Sequence, residues 1–183
     1  QPQELQAARE ALQDLPIQWV MGEHPLSLLE SADVVCLSGG VPLSLPLIAE
    51  AVKRQIPLTN DTQVFMQVVP CQTIGISGSA GKTTTTTLVG LMASKEEQEG
   101  SGPSNKPPAS TYVGGNIGDP LLNYVDDMTA DDLAILEISS FQLEQMTSSP
   151  NVAAILNITP NHLDRHGTMA AYTAAKKRLI DFQ

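Results

Sequence analysis

Cysteine is nearly missing from this chain: Cys36 and Cys71 are the only two in 183 residues. Each lies at a strand-like apolar run, so both are expected as buried free thiols of a reducing cytosol rather than as a disulfide. Basic charge is scarce as well, with 10 Lys and Arg against 20 Asp and Glu, a net charge of −10 and a pI near 4.5. That balance excludes nucleic acid or an anionic membrane as the main partner. Any phosphate bound here has to be held by local geometry. No apolar run approaches the ~20 residues that a membrane span needs, and no signal peptide is visible. The first residue is Gln1 rather than Met, so the native start is expected to lie outside these residues. No internal repeat occurs. What remains is 42% apolar, a globular composition long enough for one or two domains with a real core.

The first third alternates helix and strand. Residues 3–15 have a helical period through Leu5, Ala8, Leu12 and Leu15, and residues 17–20 read as a short strand. Residues 34–37 form a buried-strand run that stops at Ser38-Gly39-Gly40. Residues 45–55 are helical again, and residues 56–59 return as a strand ending at Asn60-Asp61. Units of this kind imply a parallel sheet, with ligands at the carboxyl ends of its strands. Gly39-Gly40 and Asn60-Asp61 stand at such ends, where plain turn chemistry is the competing reading. Residues 61–69 read as a connecting helix broken by Pro70, and a domain boundary is expected there. Residues 95–110, rich in Gly, Pro, Ser and charge, read as a surface loop. Residues 133–138 and 152–158 are apolar enough for central strands covered on both faces. A last helix over residues 169–182 follows a Thr168 cap.

Chemistry concentrates after the run Thr73-Ile74-Gly75-Ile76, where Gly78-Ser79-Ala80-Gly81-Lys82-Thr83 opens a Thr-rich segment of helix length. A strand, a glycine loop, Lys-Thr and a helix cradle phosphate: backbone N–H groups and the helix N-terminus face the anion. The lysine reaches the outer phosphates and the threonine hydroxyl can ligate magnesium. The spacing G-x-x-G-K-T is tighter than G-x-x-x-x-G-K-[ST], since position 76 is Ile76. A chance Gly-Lys pair at a turn is the bland alternative, opposed by the strand-like run before it and the proline-free segment after it. The loop therefore points to a nucleoside triphosphate.

Glu137 interrupts an apolar strand just before Ser139-Ser140. A carboxylate there needs a partner. It is either a partly exposed edge residue or, beside a phosphate loop, a magnesium ligand. The run from Asn157 to His166 places His162, Asp164, Arg165 and His166 after another strand. Asp164-Arg165-His166-Gly167 also spells the D-x-x-G of GTPases, but the phosphate loop is too short and Asn105-Lys106-Pro107-Pro108 is not an N-K-x-D guanine reader. Lys176 lies four residues after Tyr172 and three before Leu179, on the semi-apolar face of the last helix. Such a lysine snorkels to solvent or, near magnesium, is modified or catalytic.

Taken together, the glycine loop, Gly114-Gly115-Asn116-Ile117-Gly118, the run Glu137-Ile138-Ser139-Ser140-Phe141-Gln142-Leu143-Glu144, Asn161-His162-Leu163-Asp164-Arg165-His166, and Tyr172 with Ala175, Lys176 and Arg178 resemble the Mur ligases. These are the ATP-dependent amide-forming enzymes of peptidoglycan precursor synthesis. The resemblance is specific over residues 75–180 and looser over 1–66. It implies an α/β fold: part of an N-terminal Rossmann-like parallel-sheet domain over 1–66, then the first part of a P-loop ATPase domain over 67–183. It implies ATP and Mg2+ as cofactors and a cytoplasmic place of work. The implied substrates are UDP-N-acetylmuramoyl-L-alanine, whose carboxylate ATP phosphorylates, and D-glutamate, whose amine attacks the acyl phosphate. Gly78, Ser79, Ala80, Gly81, Lys82, Thr83 and Thr84 would bind ATP, with Lys82 stabilising the transferring phosphoryl group. Thr83 and Glu137 would hold one magnesium, and His162 with a carbamylated Lys176 a second. Asn116, Ser139 and Gly40 would contact the sugar nucleotide. A sister ligase, a folylpolyglutamate synthase or a non-catalytic ATP-binding module stays open. The family enzyme has three domains and more than twice this length, so the chain is expected to be an internal piece that makes no amide bond alone. Ser38-Gly39-Gly40 has Gly where the relatives are expected to have Pro, and residues 95–110 lengthen a loop that is usually short.

Overall fold

The computed structural model describes residues 2–99 and 109–183. Helix α1 spans Pro2–Ala11. A small parallel sheet then pairs β1 (Val35–Cys36) with β2 (Leu58–Thr59). Parallel neighbours need a crossover, and here it is α2, Pro46–Lys53, started by a proline at its first turn and ended before the left-handed Gln55. Leu29, Leu37, Leu47, Ile48 and Ala51 close the core of this unit.

The larger sheet contains β3 (Gln72–Ser77), β4 (Thr111–Gly115), β5 (Leu133–Glu137) and β6 (Val152–Ile155), all parallel, in the order β4-β5-β3-β6. The long helix α4, Lys82–Glu99, runs from β3 and packs on β4 and β5. Three further helices complete the unit: α5 (Ser140–Leu143), α6 (Leu163–His166) and α7 (Met169–Lys177). Leu121, Met128, Leu136, Ile138, Leu143, Met146 and Leu179 form its core. Because β3 and β5 are adjacent in the middle, the phosphate loop and Glu137 emerge side by side.

Helix α3, Asp61–Val68, joins the two sheets. Its Phe65 is buried in the core of the larger sheet. Asn60 caps it, accepting from Gln63 N at 2.8 Å while its own amide donates to the carbonyl of Gln142 at 2.8 Å, 82 residues away. Asn60-Asp61 is thus helix-start chemistry. Asn60→Ala removes the cap and leaves the Gln142 carbonyl buried without that donor, a cost of about 2 kcal/mol. Urea unfolding should show it, and a loss below about 0.5 kcal/mol would deny the cap its role.

Four expectations change. Residues 17–20 form no strand, because no described strand lies beside them to take up their backbone groups. Strand β6 is an edge rather than a central strand, with Val152 57% exposed. An apolar run reports what a strand is able to bury, not where in the sheet it sits. Past Ile155 the chain leaves the ladder to grip the phosphate loop. Helix α4 continues to Glu99, so the first residues of the expected 95–110 loop are helical, and 100–108 lie outside the described residues, as does the Asn105 to Pro108 run. Both cysteines are free, but Cys36 is exposed on its two-stranded sheet and only Cys71 is buried.

Candidate active site

The carboxyl ends of the strands converge on the glycine loop. Gly81 adopts a left-handed φ of +82°, which glycine reaches without strain. Asn157, just past β6, clasps the loop from outside. Its carbonyl accepts from Ser79 N at 2.9 Å, its side-chain oxygen accepts from Ala80 N at 3.0 Å, and its amide donates to Ala80 O at 3.0 Å. The Ser79 hydroxyl donates to Thr159 O at 3.0 Å, accepts from Thr159 N at 2.9 Å and meets the Tyr172 hydroxyl at 2.9 Å. Two of the loop amides expected to face phosphate are therefore held by Asn157. That leaves the other loop amides and the first turn of α4, at Lys82, Thr83 and Thr84, where a helix leaves N–H groups without internal partners.

Glu137 is 2% exposed, and both its oxygens are engaged. Oε2 accepts from the Thr83 hydroxyl at 2.7 Å and Oε1 from the Asn116 amide at 2.8 Å, while Asn116 N donates to the Glu137 carbonyl at 2.8 Å. Both side-chain partners are neutral, so the carboxylate's charge is not matched by a cation in contact. No group of three or more His, Cys, Asp or Glu side chains arranged for a metal occurs among the described residues. One carboxylate beside one hydroxyl nonetheless suits magnesium, which keeps waters and phosphate oxygens as its other ligands.

Two amines meet at the Gly78 carbonyl, Lys176 Nζ at 2.9 Å and Lys82 Nζ at 3.1 Å. Lys176 also donates to Ser77 Oγ at 3.3 Å and lies over the Tyr172 ring. It is 1% exposed and does not snorkel. Burial first, and then the charge of Lys82, lower its pKa to about 8. His162 stands apart from this pair. It is exposed, holds a left-handed φ of +52° at the start of α6, and turns its ring edge-on to Phe141 at 5.0 Å.

A cleft of about 520 Å³ opens beside the carboxylate, lined by Ser38, Gly39, Asn116, Ser139, Phe141 and Gln142. Ser139 caps α5 in a capping box with Gln142, so its hydroxyl already serves the helix start. Gly40 is not among the lining residues but follows Gly39, which is, and its carbonyl accepts from Arg165 at 3.1 Å.

A family model described as Mur ligase middle domain matches residues 76–183. The chain belongs to the Mur ligase family. UDP-N-acetylmuramoylalanine--D-glutamate ligase of Ruminiclostridium cellulolyticum is 40% identical over 169 residues, covering 92% of this chain and 34% of that protein. The protein of the same name from Koribacter versatilis is 42% identical over 163 residues, covering 88% and 34%. The chain spans about a third of the length of these curated relatives. Among solved structures, UDP-N-acetylmuramate:L-alanyl-gamma-D-glutamyl-meso-diaminopimelate ligase from Neisseria meningitides aligns with a TM-score of 0.50 at 17% identity, covering 93% of this chain and 55% of that one. The likeness is one of fold.

Within this Mur ligase chain, sequence reasoning missed the residues that hold the loop from behind. Asn157 reads as part of the strand over 152–158 with Thr159 just after it, and Tyr172, though part of the family resemblance, carries no sign of reaching the loop. The signal available was position alone: polar residues at the carboxyl end of a strand next to the one that feeds a phosphate loop.

Proposed function

We propose that this chain is the ATP-binding part of a cytoplasmic ligase that joins D-glutamate to UDP-N-acetylmuramoyl-L-alanine through an acyl phosphate. Residues 1–66 would be the later part of the nucleotide-sugar domain and 67–183 the first part of the central ATP-binding domain. Two separate parallel sheets and two hydrophobic clusters support that division, with Phe65 of α3 reaching across it. The observation that carries the reading is the convergence of Lys82 and Lys176 on one carbonyl of the glycine loop, beside the Thr83–Glu137 pair. In this reading the positive charge that faces an outer phosphate of ATP is that of Lys82.

In this reading Lys82 swings from Gly78 O to the transferring phosphoryl group, and the Gly78 to Gly81 loop with the first turn of α4 fixes the phosphates. Thr83 and Glu137, which bond each other here, would hold magnesium, which would supply charge neutralisation. Asn116 keeps the Glu137 carboxylate aimed at it. The acid substrate lies in the cleft between Gly40 and Ser139, with no nucleic acid or membrane as partner. No described helix is long and apolar enough to cross a membrane.

Lys176 as an ammonium is no metal ligand. With a pKa of about 8, roughly a tenth of it is neutral at pH 7, enough to react with carbon dioxide. Were the N–C bond to form, with the amine's proton lost to water, the carbamate would offer oxygens to a second cation; His162, exposed and packed edge-on to Phe141, would have to turn toward Lys176 to share it. Unlike the ammonium, that carbamate would attract rather than repel the cation.

Titration of MgATP into wild type and Lys82→Ala tests the site. Loss of one charged contact is worth ~1.5–3 kcal/mol, or about 10- to 150-fold in affinity. Equal affinities would overturn the phosphate-loop reading.

A further inference from the structure

Five side chains form one continuous stack across the larger unit. The Arg165 guanidinium lies 4.7 Å over the Phe141 ring. Phe141 is parallel to His166 within 8°, centroids 5.3 Å apart. His166 meets Tyr172 at 5.1 Å, and Lys176 Nζ lies 4.8 Å over Tyr172. These separations fall in the attractive range for aromatic pairs and for cations over rings.

Each end of the stack holds a loop. Arg165 donates to the carbonyls of Gly40 at 3.1 Å and Val41 at 2.5 Å, fixing the turn after β1. At the other end Tyr172 reaches Ser79 and Lys176 reaches Gly78, both in the phosphate loop. Phe141 also lines the cleft. The stack is thus a physical connection between the rim of the cleft and the phosphate loop.

His166 is the middle member, and its setting is built to stop it turning. Its side chain is 1% exposed. Nδ1 meets the Glu144 carboxylate at 2.9 Å, and Nε2 meets the Ser140 hydroxyl at 3.0 Å. Burial, with the charges of Arg165 and Lys176 and nearby His162, lowers its pKa against the pull of Glu144. In the neutral ring the proton belongs on Nδ1, since a carboxylate only accepts, and Ser140 then donates to Nε2. Serine, histidine and carboxylate stand in the order of a hydrolase triad, but Ser140 is 3% exposed and out of reach of an acyl group. The three groups hold a ring in place.

We infer that His166 is a positioning residue which, through its stacked contacts with Phe141 and Tyr172, sets the turn at Gly40 and Val41 and the phosphate loop at Gly78 and Ser79 as one rigid assembly. What the two ends bind rests on the ligase reading above. The mechanical connection does not.

Hydrogen exchange on the chain tests it, read at the amides of Val41, Ser79 and Ala80, each of which is hydrogen-bonded. His166→Leu removes the ring and should speed all three by about tenfold. His166→Phe keeps the ring without its polar bonds and should hold all three within about twofold of wild type. Arg165→Ala, at the far end, should speed Ser79 and Ala80 by about threefold in wild type and not at all in His166→Leu. Should His166→Leu prove unfolded, His166→Phe and Arg165→Ala alone decide. Overturning results are exchange in His166→Phe as fast as in His166→Leu, or an Arg165→Ala effect confined to Val41. Equal MgATP affinities of wild type and Lys82→Ala would overturn the phosphate-loop reading and leave these rates standing. The exchange test, in turn, can fail in a chain that binds MgATP normally.

Discussion

Lys176→Met should make the chain more stable at pH 7 and remove a pH dependence that wild type shows above pH 8. Lys176 is buried with a pKa of about 8, lowered by burial and then by Lys82. In the unfolded chain the amine titrates near 10.4. Between those values the unfolded state binds a proton that the folded state has lost, so wild-type stability rises with pH from about 8 to about 10.5. Below pH 8 both states are protonated and the folded state carries the full cost of the buried charge, about 3 kcal/mol.

Methionine fills much the same stem volume without the charge. No polar group is orphaned by the change: Gly78 O keeps Lys82, and Ser77 Oγ still donates to Ile138 O at 2.7 Å. The expected net gain is about 2 kcal/mol at pH 7, or roughly 4–8 °C in Tm. Thermal unfolding at pH 7 and pH 9.5 gives the answer. A wild-type stability that does not rise between those values, or a methionine variant less stable than wild type, would mean that the amine is not held as a buried cation. On the function proposed above, the same variant in the full-length protein would also lose ligation, because methionine forms no carbamate.

Gly115→Ala should have the opposite effect and a larger one. Gly115 has a φ of +99°, and a Cβ there would sit 2.4 Å from the backbone oxygen of Glu137, its partner across β4 and β5. Strain of ~1–3 kcal/mol adds to a backbone clash that no rotamer relieves, giving at least about 4 kcal/mol in total. Tm should fall by more than about 8 °C. Gly118→Ala is the control, since its φ is +63° but nothing lies within 4 Å of the added carbon. That variant should lose only ~1–2 kcal/mol. Similar losses at both positions would show that β4 shifts freely past Glu137. Because Asn116 follows directly and bonds both the carbonyl and the carboxylate of Glu137, Gly115→Ala should also weaken MgATP binding in whatever fraction stays folded.

How much of this was legible depended on whether the signal was local. The phosphate loop, the interrupting Glu137 and the inner-face Lys176 each announce themselves within a few residues. A glycine spacing, a charge in an apolar run and a helical period belong to single elements. Asn157 holds the loop across 77 residues and Asn60 holds α5 across 82, and neither side chain looks different from a turn residue until the sheet brings its partner close. The strand read at 17–20 failed for a related reason, since β propensity is realised only beside another strand. The edge position of β6 and the exposed Cys36 follow from strand order, which periodicity does not encode. His166 carried a visible motif, but its stacking partners Phe141 and Tyr172 lie on two other helices.

The meeting of Lys82 and Lys176 on one carbonyl oxygen also bears on how fast an anion arrives. A polyphosphate approaching from afar meets a chain whose net charge is −10 and is repelled before it meets either amine. At ~0.15 M salt that repulsion fades beyond about 8 Å, whereas at ~0.01 M it extends to about 30 Å. On the function proposed above, the encounter with ATP would therefore quicken as salt is added, the reverse of a basic phosphate binder. Once seated against Lys82, the same anion would be held less tightly in that salt. Arrival and retention would then be tuned by charges in different places, the acidic surface for the first and the phosphate-loop lysine for the second.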